Sequence, residues 1–315
     1  MLLFTARRVL SGLFLLFVIS FLAYLLLSVQ DTDVGQQVLG MGARPDQIAA
    51  KNAQLGLDRP LIAQYFDWLG HALRGDLGTS WYTGEDINQT VSTRLPVTLS
   101  LMVGVTLVSG VVSFLAGTWA ALRQGGVVDK GIQLLGVLGY AVPGFLLTLV
   151  LVQIFAVQLK WFPAIGYTPF AESPSGWLST ITLPVIALST GAVAGVSQQV
   201  RGAVVDVLRQ DYVRTLRARG LPPHRVVLKH VLRNASAPAL SVLGMQFVGL
   251  IGGTVLVEQI FALPGIGSMA VTYTARGDVP AIMAVVMVSV IGVVLINLLV
   301  DLSIGWLNPK ARAAA

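Results

Sequence analysis

The side chains of this sequence that could ligate a metal ion or act as nucleophiles are three histidines and scattered serines. His71 is far from His224 and His230 in the sequence, and the three have no spacing typical of a metal site. Ser189 and Ser197 fall in an apolar stretch with no histidine placed to activate them. The sequence also contains neither a cysteine nor a G-x-x-x-x-G-K-[ST] phosphate loop. We therefore expect no catalytic residue, metal site or cofactor site in this chain.

The composition indicates what these residues are embedded in. Hydrophobic residues make up 55% and charged residues 11% of the 315 residues, and the mean hydropathy is +0.76. A hydrocarbon core about 30 Å thick requires roughly 20 apolar residues per helix. Six segments meet this length, near 9–28, 97–122, 132–159, 181–199, 236–257 and 281–306. The sequence predicts an all-α polytopic membrane protein with six transmembrane helices.

The distribution of lysine and arginine predicts the orientation, because cytoplasmic loops carry the excess of both. With the N-terminus inside, the inner loops hold 14 of the 21 basic residues, including eight between Arg201 and Arg233. Of the 15 acidic residues, 11 lie outside. We expect both termini to be cytoplasmic, with a tail at 309–315. The apolar run within 1–28 is too long for a signal peptide, so we expect a retained first helix.

Polar residues within the apolar segments are few. Glu258 lies at the outer end of the fifth segment, and Asp301 follows Asn297 by four residues and so shares its helix face. Ion-coupled carriers usually keep buried carboxylates for the coupling ion. We interpret these acidic residues as structural. Four further polar residues could line a polar path or bond to a neighbouring helix: Gln153, Ser197, Gln198 and Gln246.

The extracytoplasmic segment 29–96 is too long for a turn. The pattern predicts a helix from Asp46 to Leu55 and a second one from Leu61 to Leu73, and glycines interrupt the pattern in 74–80. One face of the second helix would carry Leu61, Tyr65, Trp68, Leu69 and Leu73. Either an amphipathic cap on the bilayer or a dedicated docking surface explains this segment.

The inner loop 200–235 combines basic residues with helical periodicity. Apolar residues recur at three- and four-residue steps from Ala203 to Arg219, which predicts one helix. Gly220 to Pro223 would end this helix and start a second one that continues through Asn234. We expect a helix, a sharp bend and a helix, with Leu221 exposed near the tip. On physical grounds the hairpin suits anionic lipid as well as a protein partner.

Motifs along essentially the whole chain resemble one family. The pattern D-Y-V-R-T-x-R-A-x-G-L at 211–221, followed by R-V-x-x-x-H-x-x-R-N at 225–234, is similar to the coupling loop of permease subunits of bacterial ABC importers. The likeness is to the peptide, nickel and opine branch, and within it to the first permease of dipeptide and oligopeptide systems. Further motifs of that branch are LGLDRPL at 55–61, GDLGTS at 75–80, RLPVTLSL at 94–101, PGIG at 264–267, D-x-P at 278–280 and NLLVDL at 297–302.

The resemblance implies a type I importer permease fold, with a permease core at 97–308 and a coupling loop that contacts an ATPase. Where the wider superfamily has Glu-Ala-Ala, this chain has Arg214, Thr215 and Leu216, which reverses the charge required of the ATPase. The residues that the resemblance places in the coupling loop are Asp211, Tyr212, Arg214, Thr215, Leu216, Arg217, Gly220, Leu221, Pro222, Pro223 and His224.

The last outer loop, 258–280, contains the FALPGIG motif and is a candidate re-entrant hairpin. We expect it to gate the pathway or to receive an extracytoplasmic binding protein. The candidate residues for this role are Glu258, Phe261, Pro264, Gly265 and Asp278.

The resemblance also implies the partners. A second homologous permease would complete the pathway, one or two kinds of ATPase subunit would bind ATP and Mg²⁺, and a substrate-binding lipoprotein would deliver the substrate from outside. The protein would lie in the lipid of a bacterial inner membrane, and no nucleic acid is expected. A di- or oligopeptide is the expected substrate, with nickel chelates and opines as alternatives. An ion-coupled secondary transporter and a membrane scaffold remain as alternatives from other classes.

Overall fold

The computed structural model describes residues 2–28, 34–40 and 42–307. These residues form helices, and their one isolated extended pairing joins Thr79 to Asp86. In chain order the helices are α1 (Leu2–Ser28), α2 (Val34–Leu39), α3 (Pro45–Gln54), α4 (Leu61–Ala72), α5 (Ile87–Leu122), α6 (Val127–Ala141), α7 (Gly144–Leu151, continued by a π-helix at Val152–Gln158), α8 (Pro174–Leu208), α9 (Asp211–Ala218), α10 (Pro223–Arg225, continued by a π-helix at Val226–Val231), α11 (Leu232–Ile260), α12 (Ile266–Arg276) and α13 (Val279–Leu307).

Five of the described helical segments are long and apolar enough to cross a membrane as they stand. They are Ala6–Ser28, Ile87–Leu122, Pro174–Leu208, Pro223–Ile260 and Val279–Ser303. The predicted third span, 132–159, falls on a pair of helices, α6 and α7 with its π-helical end, which are long and apolar enough together but are bent by 96°. Val142 is extended because the ring of Pro143 disfavours the helical conformation of the preceding residue.

Packing divides the chain into two units. One unit comprises Met1–Thr98 with Pro264–Val294, and the other comprises Leu99–Leu263 with Leu295–Ala315.

In the first unit, α4 packs on the C-terminal part of α1. Tyr65 is 1% exposed and shares a hydrogen bond of 2.9 Å between its Oη and Ser20 Oγ, while Tyr24 Oη donates to Gln64 Oε1 at 3.0 Å. Trp68 and Leu69 pack against the same cluster. Of the residues that the pattern places on one face of this helix, Tyr65, Trp68 and Leu69 thus belong to the cluster, whereas Leu61 and Leu73 are exposed.

In the second unit, α8 lies at the centre. It contacts α6, α7 and α11, and most of the residues that it buries are small or β-branched. Gly117 of α5 lies against α8 so closely that a β-carbon would be 2.6 Å from the carbonyl oxygen of Ser197. Close packing of α8 positions the loop that follows it.

Candidate functional site

The segment after α8 forms a hairpin of two helices, which we call the coupling hairpin (residues 209–234). The bend is built as the sequence predicts: Gly220 has a φ of +78°, which glycine adopts without strain, and α10 begins with Pro223. The prediction of one helix from Ala203 to Arg219 is wrong, because α8 ends at Leu208 and α9 begins at Asp211. Because of this break, α9 does not continue α8 and packs against the apolar core of the second unit.

Val213 attaches α9 to the second unit. Its side chain is fully buried in an apolar cluster with residues of α8, the π-helix and α11, including Val204, Val226 and Ala235. Tyr212, Leu216 and Leu221 are half-buried against the same cluster. The expectation that Leu221 is exposed at the tip is therefore wrong, since the bend folds this side chain back onto the apolar cluster.

The opposite face of the hairpin is polar and exposed. Arg214 and Asp211 form an ion pair of 3.7 Å whose side chains are 77% and 97% exposed, so it contributes little stability. Pro222 is half-buried. The remaining exposed residues of the predicted coupling loop are Thr215, Arg217, Gly220, Pro223 and His224. The hairpin thus presents a mainly basic surface on a buried apolar base. We call this surface the basic ridge, and its exposed residues are Asp211, Arg214, Thr215, Arg217, Gly220, Pro223 and His224.

Two hydrogen-bond anchors support the hairpin. Asn234 Nδ2 donates to Tyr212 Oη at 2.8 Å and to the carbonyl oxygen of His230 at 2.9 Å. Tyr212 and Asn234 belong to the two halves of the motif at 211–234, so this contact joins the arms of the hairpin near its base.

The second anchor lies just before the hairpin and was missed by the sequence reasoning. Arg201 of α8 donates from Nε and Nη2 to both carboxylate oxygens of Asp129, at 2.5 and 2.7 Å. Asp129 also accepts from the backbone N–H of Gly125 and from Gln133 Nε2, and its side chain is 2% exposed. A two-point ion pair of this kind is strong and directional. It joins the C-terminal part of α8 to the first turn of α6.

Two of the gate or docking candidates, Glu258 and Phe261, lie at the end of α11 in the second unit. Their side chains are 0% and 2% exposed. The carbonyl oxygen of Phe261 accepts from the N–H of Gly166 at 2.9 Å. Ala262 follows with a φ of +50°, which is uncommon for a residue with a β-carbon. Both candidates thus fix the turn after α11 rather than line its surface.

The candidates Pro264, Gly265 and Asp278 lie in the first unit. Pro264 is exposed and Gly265 precedes α12, whose first N–H, at Ile266, donates to Thr98 Oγ1 at 2.8 Å. Asp278 is fully buried between α12 and α13.

Asp278 is held by the GDLGTS motif. Ser80 Oγ donates to one carboxylate oxygen of Asp278 at 2.5 Å, and the backbone N–H of Trp81 approaches the other at 3.4 Å. Burial raises the pKa of Asp278, and the hydrogen bond from Ser80 opposes this shift. The sequence reasoning did not single out Ser80. The motifs GDLGTS and D-x-P both belong to the set that resembles one family. This common resemblance is the only hint in the sequence that the two segments are in contact.

Comparison with known proteins identifies the family. A family model described as the binding-protein-dependent transport system inner membrane component matches residues 113–313. The model of the N-terminal part of the same membrane component matches residues 1–102. The chain belongs to this family. It is therefore a multi-pass inner-membrane permease component, a class that is not itself catalytic.

Curated relatives match over nearly their whole length. The chain is 36% identical to a probable peptide ABC transporter permease protein, y4tP, of Sinorhizobium fredii, over 97% of this chain and 98% of the relative. It is 35% identical to the di/tripeptide transport system permease protein DppB of Pseudomonas aeruginosa, over 99% of each. It is 36% identical to the oligopeptide transport system permease protein AppB of Bacillus subtilis, over 81% of this chain and 82% of the relative.

A solved structure has the same fold. It is the MetNI methionine ABC transporter in inward-facing conformations, with a TM-score of 0.54 and 18% identity, and the match covers 70% of this chain and 97% of that one. The type I importer permease fold expected from the motifs agrees with this likeness.

Proposed function

We propose that this chain is one of two permease subunits of an ATP-driven importer of di- or oligopeptides. Three relatives named for peptide transport, each at least 35% identical over most of both chains, support the substrate class. The bent pair α6–α7 would count as one of six spans, with both termini cytoplasmic. A second permease, two ATPase subunits that bind ATP and Mg²⁺, and an extracytoplasmic binding protein would complete the assembly.

The basic ridge would dock on an ATPase subunit. The observation that carries this assignment is the contrast within α9, where Val213 is fully buried while Arg214 and Arg217 are exposed. A short helix held by a buried side chain moves together with the helices that it packs on. Displacement of the ridge by the ATPase would therefore be passed to α8 and α11, which supply the cluster around Val213.

The turn after α11 and helix α12 would act on the other side of the membrane. Glu258, Phe261 and Asp278 would hold these elements from within, since their side chains are buried. Pro264 would be the exposed part of the motif available to the binding protein or to the pathway.

The test is Gly220→Pro in the complete complex with its binding protein. Proline requires a φ near −65° and has no N–H, whereas Gly220 has a φ of +78° and donates to the carbonyl oxygen of Arg217. We expect normal membrane insertion, loss of ATPase co-purification and loss of the ATP hydrolysis that the loaded binding protein stimulates.

Gly75→Pro is the matched control. Gly75 also has a positive φ, +85°, and donates to the carbonyl oxygen three residues back, but it lies in the segment between the first two spans. This variant should still co-purify with the ATPase subunits. Normal stimulation in the Gly220→Pro complex would contradict the docking assignment.

A further inference from the structure

Three polar side chains of the second unit converge within its membrane-spanning helices. Tyr140 of α6 reaches Gly195 of α8 so closely that a β-carbon there would collide with its Oη, and Gln246 Nε2 of α11 would be 3.3 Å from the same β-carbon. One turn further along, Gln198 Nε2 of α8 would be 2.9 Å from a β-carbon at Gly136 of α6. Three helices thus bring a phenol and two amides together, and we call these three side chains the polar patch.

The polar patch is accessible and has unused hydrogen-bonding capacity. Tyr140 is 64% exposed, and Gln198 and Gln246 are half-buried. Among the described residues, none of these three side chains forms a hydrogen bond with another group of the protein. Side chains that bear amides are not normally left facing lipid with nothing to bond to.

The patch lies deep in the spans. Tyr140 comes 13 residues after Val127 at the start of α6, Gly195 comes 13 residues before Leu208 at the end of α8, and Gln246 comes 14 residues after Leu232 at the start of α11. At about 1.5 Å per residue, these positions lie roughly 20 Å along their helices from those three ends, a distance shorter than the thickness of a hydrocarbon core of about 30 Å.

The backbone beside the patch is also irregular and exposed. Helix α6 ends one residue after Tyr140, and Ala141 to Gly144 are exposed at the 96° bend. Non-helical backbone at membrane depth is found where it is covered by protein or lines a water-filled space, and not where it meets lipid. The bend and the polar patch therefore mark one face of the second unit that does not face lipid.

We propose that Tyr140, Gln198 and Gln246 line the substrate pathway and bind the backbone amides of a peptide in transit. This inference rests on the proposed function. The residues around the patch, 131–141, 184–200 and 235–257, include no charged residue. Neutral groups that both donate and accept match the N–H and C=O groups that all peptides share, and they do not select among side chains.

Transport by the complete complex in proteoliposomes tests the ligand class, with labelled trialanine as the probe. We expect Gln246→Leu to lower uptake about fivefold, which is the effect of one lost hydrogen bond, and Tyr140→Phe to lower it by a similar factor. ATP hydrolysis stimulated by the loaded binding protein should persist. The matched control is Gln89→Leu, which removes an exposed amide near the start of α5 and should leave uptake unchanged. Unchanged uptake in both patch variants, or an equal loss in the control, would overturn the proposal.

Cysteine labelling tests the face itself, since this chain has no native cysteine. A charged, membrane-impermeant thiol reagent reacts with the thiolate, which forms only in contact with water. We expect Gln246→Cys to be labelled and trialanine to protect it during turnover, while Leu134→Cys, an exposed apolar position of α6, stays unlabelled.

The labelling distinguishes failure of the pathway assignment from failure of the proposed function. The pathway assignment would be overturned if the cysteine at position 246 is not labelled, or if this cysteine crosslinks to the second permease instead. If the wild-type complex takes up no peptide, the proposed function fails and the peptide as ligand fails with it. Labelling would then still decide whether the face is lined by water.

Discussion

Two buried aspartates, one in each unit, are held in place by different chemistry. Asp129 is paired with the guanidinium of Arg201 through both carboxylate oxygens. Asp278 is held by the hydroxyl of Ser80 and the backbone N–H of Trp81, and among the described residues it forms no salt bridge. Both side chains are almost inaccessible to solvent.

The two sets of partners determine how each anchor behaves. The ion pair at Asp129 joins two elements with a strong, directional contact, which suits the base of a hairpin that we propose transmits displacement. The neutral donors at Asp278 compensate only part of the cost of burying a carboxylate, so that site remains sensitive to protonation. The first anchor is therefore rigid, and the second responds to pH.

The largest expected effect comes from breaking the rigid anchor. Asp129→Asn leaves the guanidinium of Arg201 without its counter-charge. Removing one partner of a buried ion pair typically costs about 3 kcal/mol or more, and the 21% exposure of Arg201 favours the lower end of the range. We expect the free energy of unfolding in detergent to fall by about 3 kcal/mol.

Two variants provide controls for this prediction. Asp206→Asn removes an exposed carboxylate from α8, the helix that carries Arg201. This variant should change the free energy of unfolding by less than about 0.5 kcal/mol. The double variant Asp129→Asn/Arg201→Gln should be less destabilised than the sum of its two single variants, because no unpaired charge remains. Additive losses would mean that the pair contributes nothing as a pair.

A smaller effect is expected at the apolar anchor of the same hairpin. Val213→Ala removes two buried methyl groups and should lower the free energy of unfolding by about 2 kcal/mol. Arg217→Ala, on the exposed side of α9, should leave stability within about 0.5 kcal/mol of the wild type. A loss at Arg217 as large as that at Val213 would show that the two faces of α9 are not distinguished as the structure indicates.

The sequence predicted the parts of the hairpin that depend on local chemistry. Gly220 and Pro223 act through their own backbone preferences, so the bend could be located without tertiary information. The break between α8 and α9 could not, because the periodicity is equally good on both sides of Gln210 and burial of Val213 decides the direction of α9. Similarly, hydropathy alone predicts one span over 132–159, because the run is apolar on both sides of the bend before Pro143.

The two aspartate anchors show a different limit. Asp129 and Arg201 are 72 residues apart, and neither has a local pattern that marks the other as its partner. The D-x-P motif makes Asp278 a candidate for gating or docking, and the structure shows that its side chain is buried. Spacing along the chain can identify a residue as unusual, but only packing shows what it bonds to.

The smallest expected effect is the pH dependence of the second anchor. The pKa of Asp278 is raised in the folded protein, so between its unfolded and folded values the folded state binds more protons than the unfolded state. The free energy of unfolding should therefore fall as pH rises through this window. The effect is smaller than that of breaking the ion pair because the hydrogen bond from Ser80 already opposes the raised pKa.

Melting curves measured from about pH 4 to about pH 7 would show this dependence, since an unperturbed aspartate titrates near 3.9. Asp278→Asn cannot ionise and should lose this contribution to the slope. Ser80→Ala removes the donor that favours the carboxylate, so the pKa should rise further and the fall in stability should extend to higher pH. An unchanged slope in Asp278→Asn would show that the carboxylate at 278 titrates alike in the folded and unfolded states. The contrast with Asp129 would then lie in bonding geometry alone.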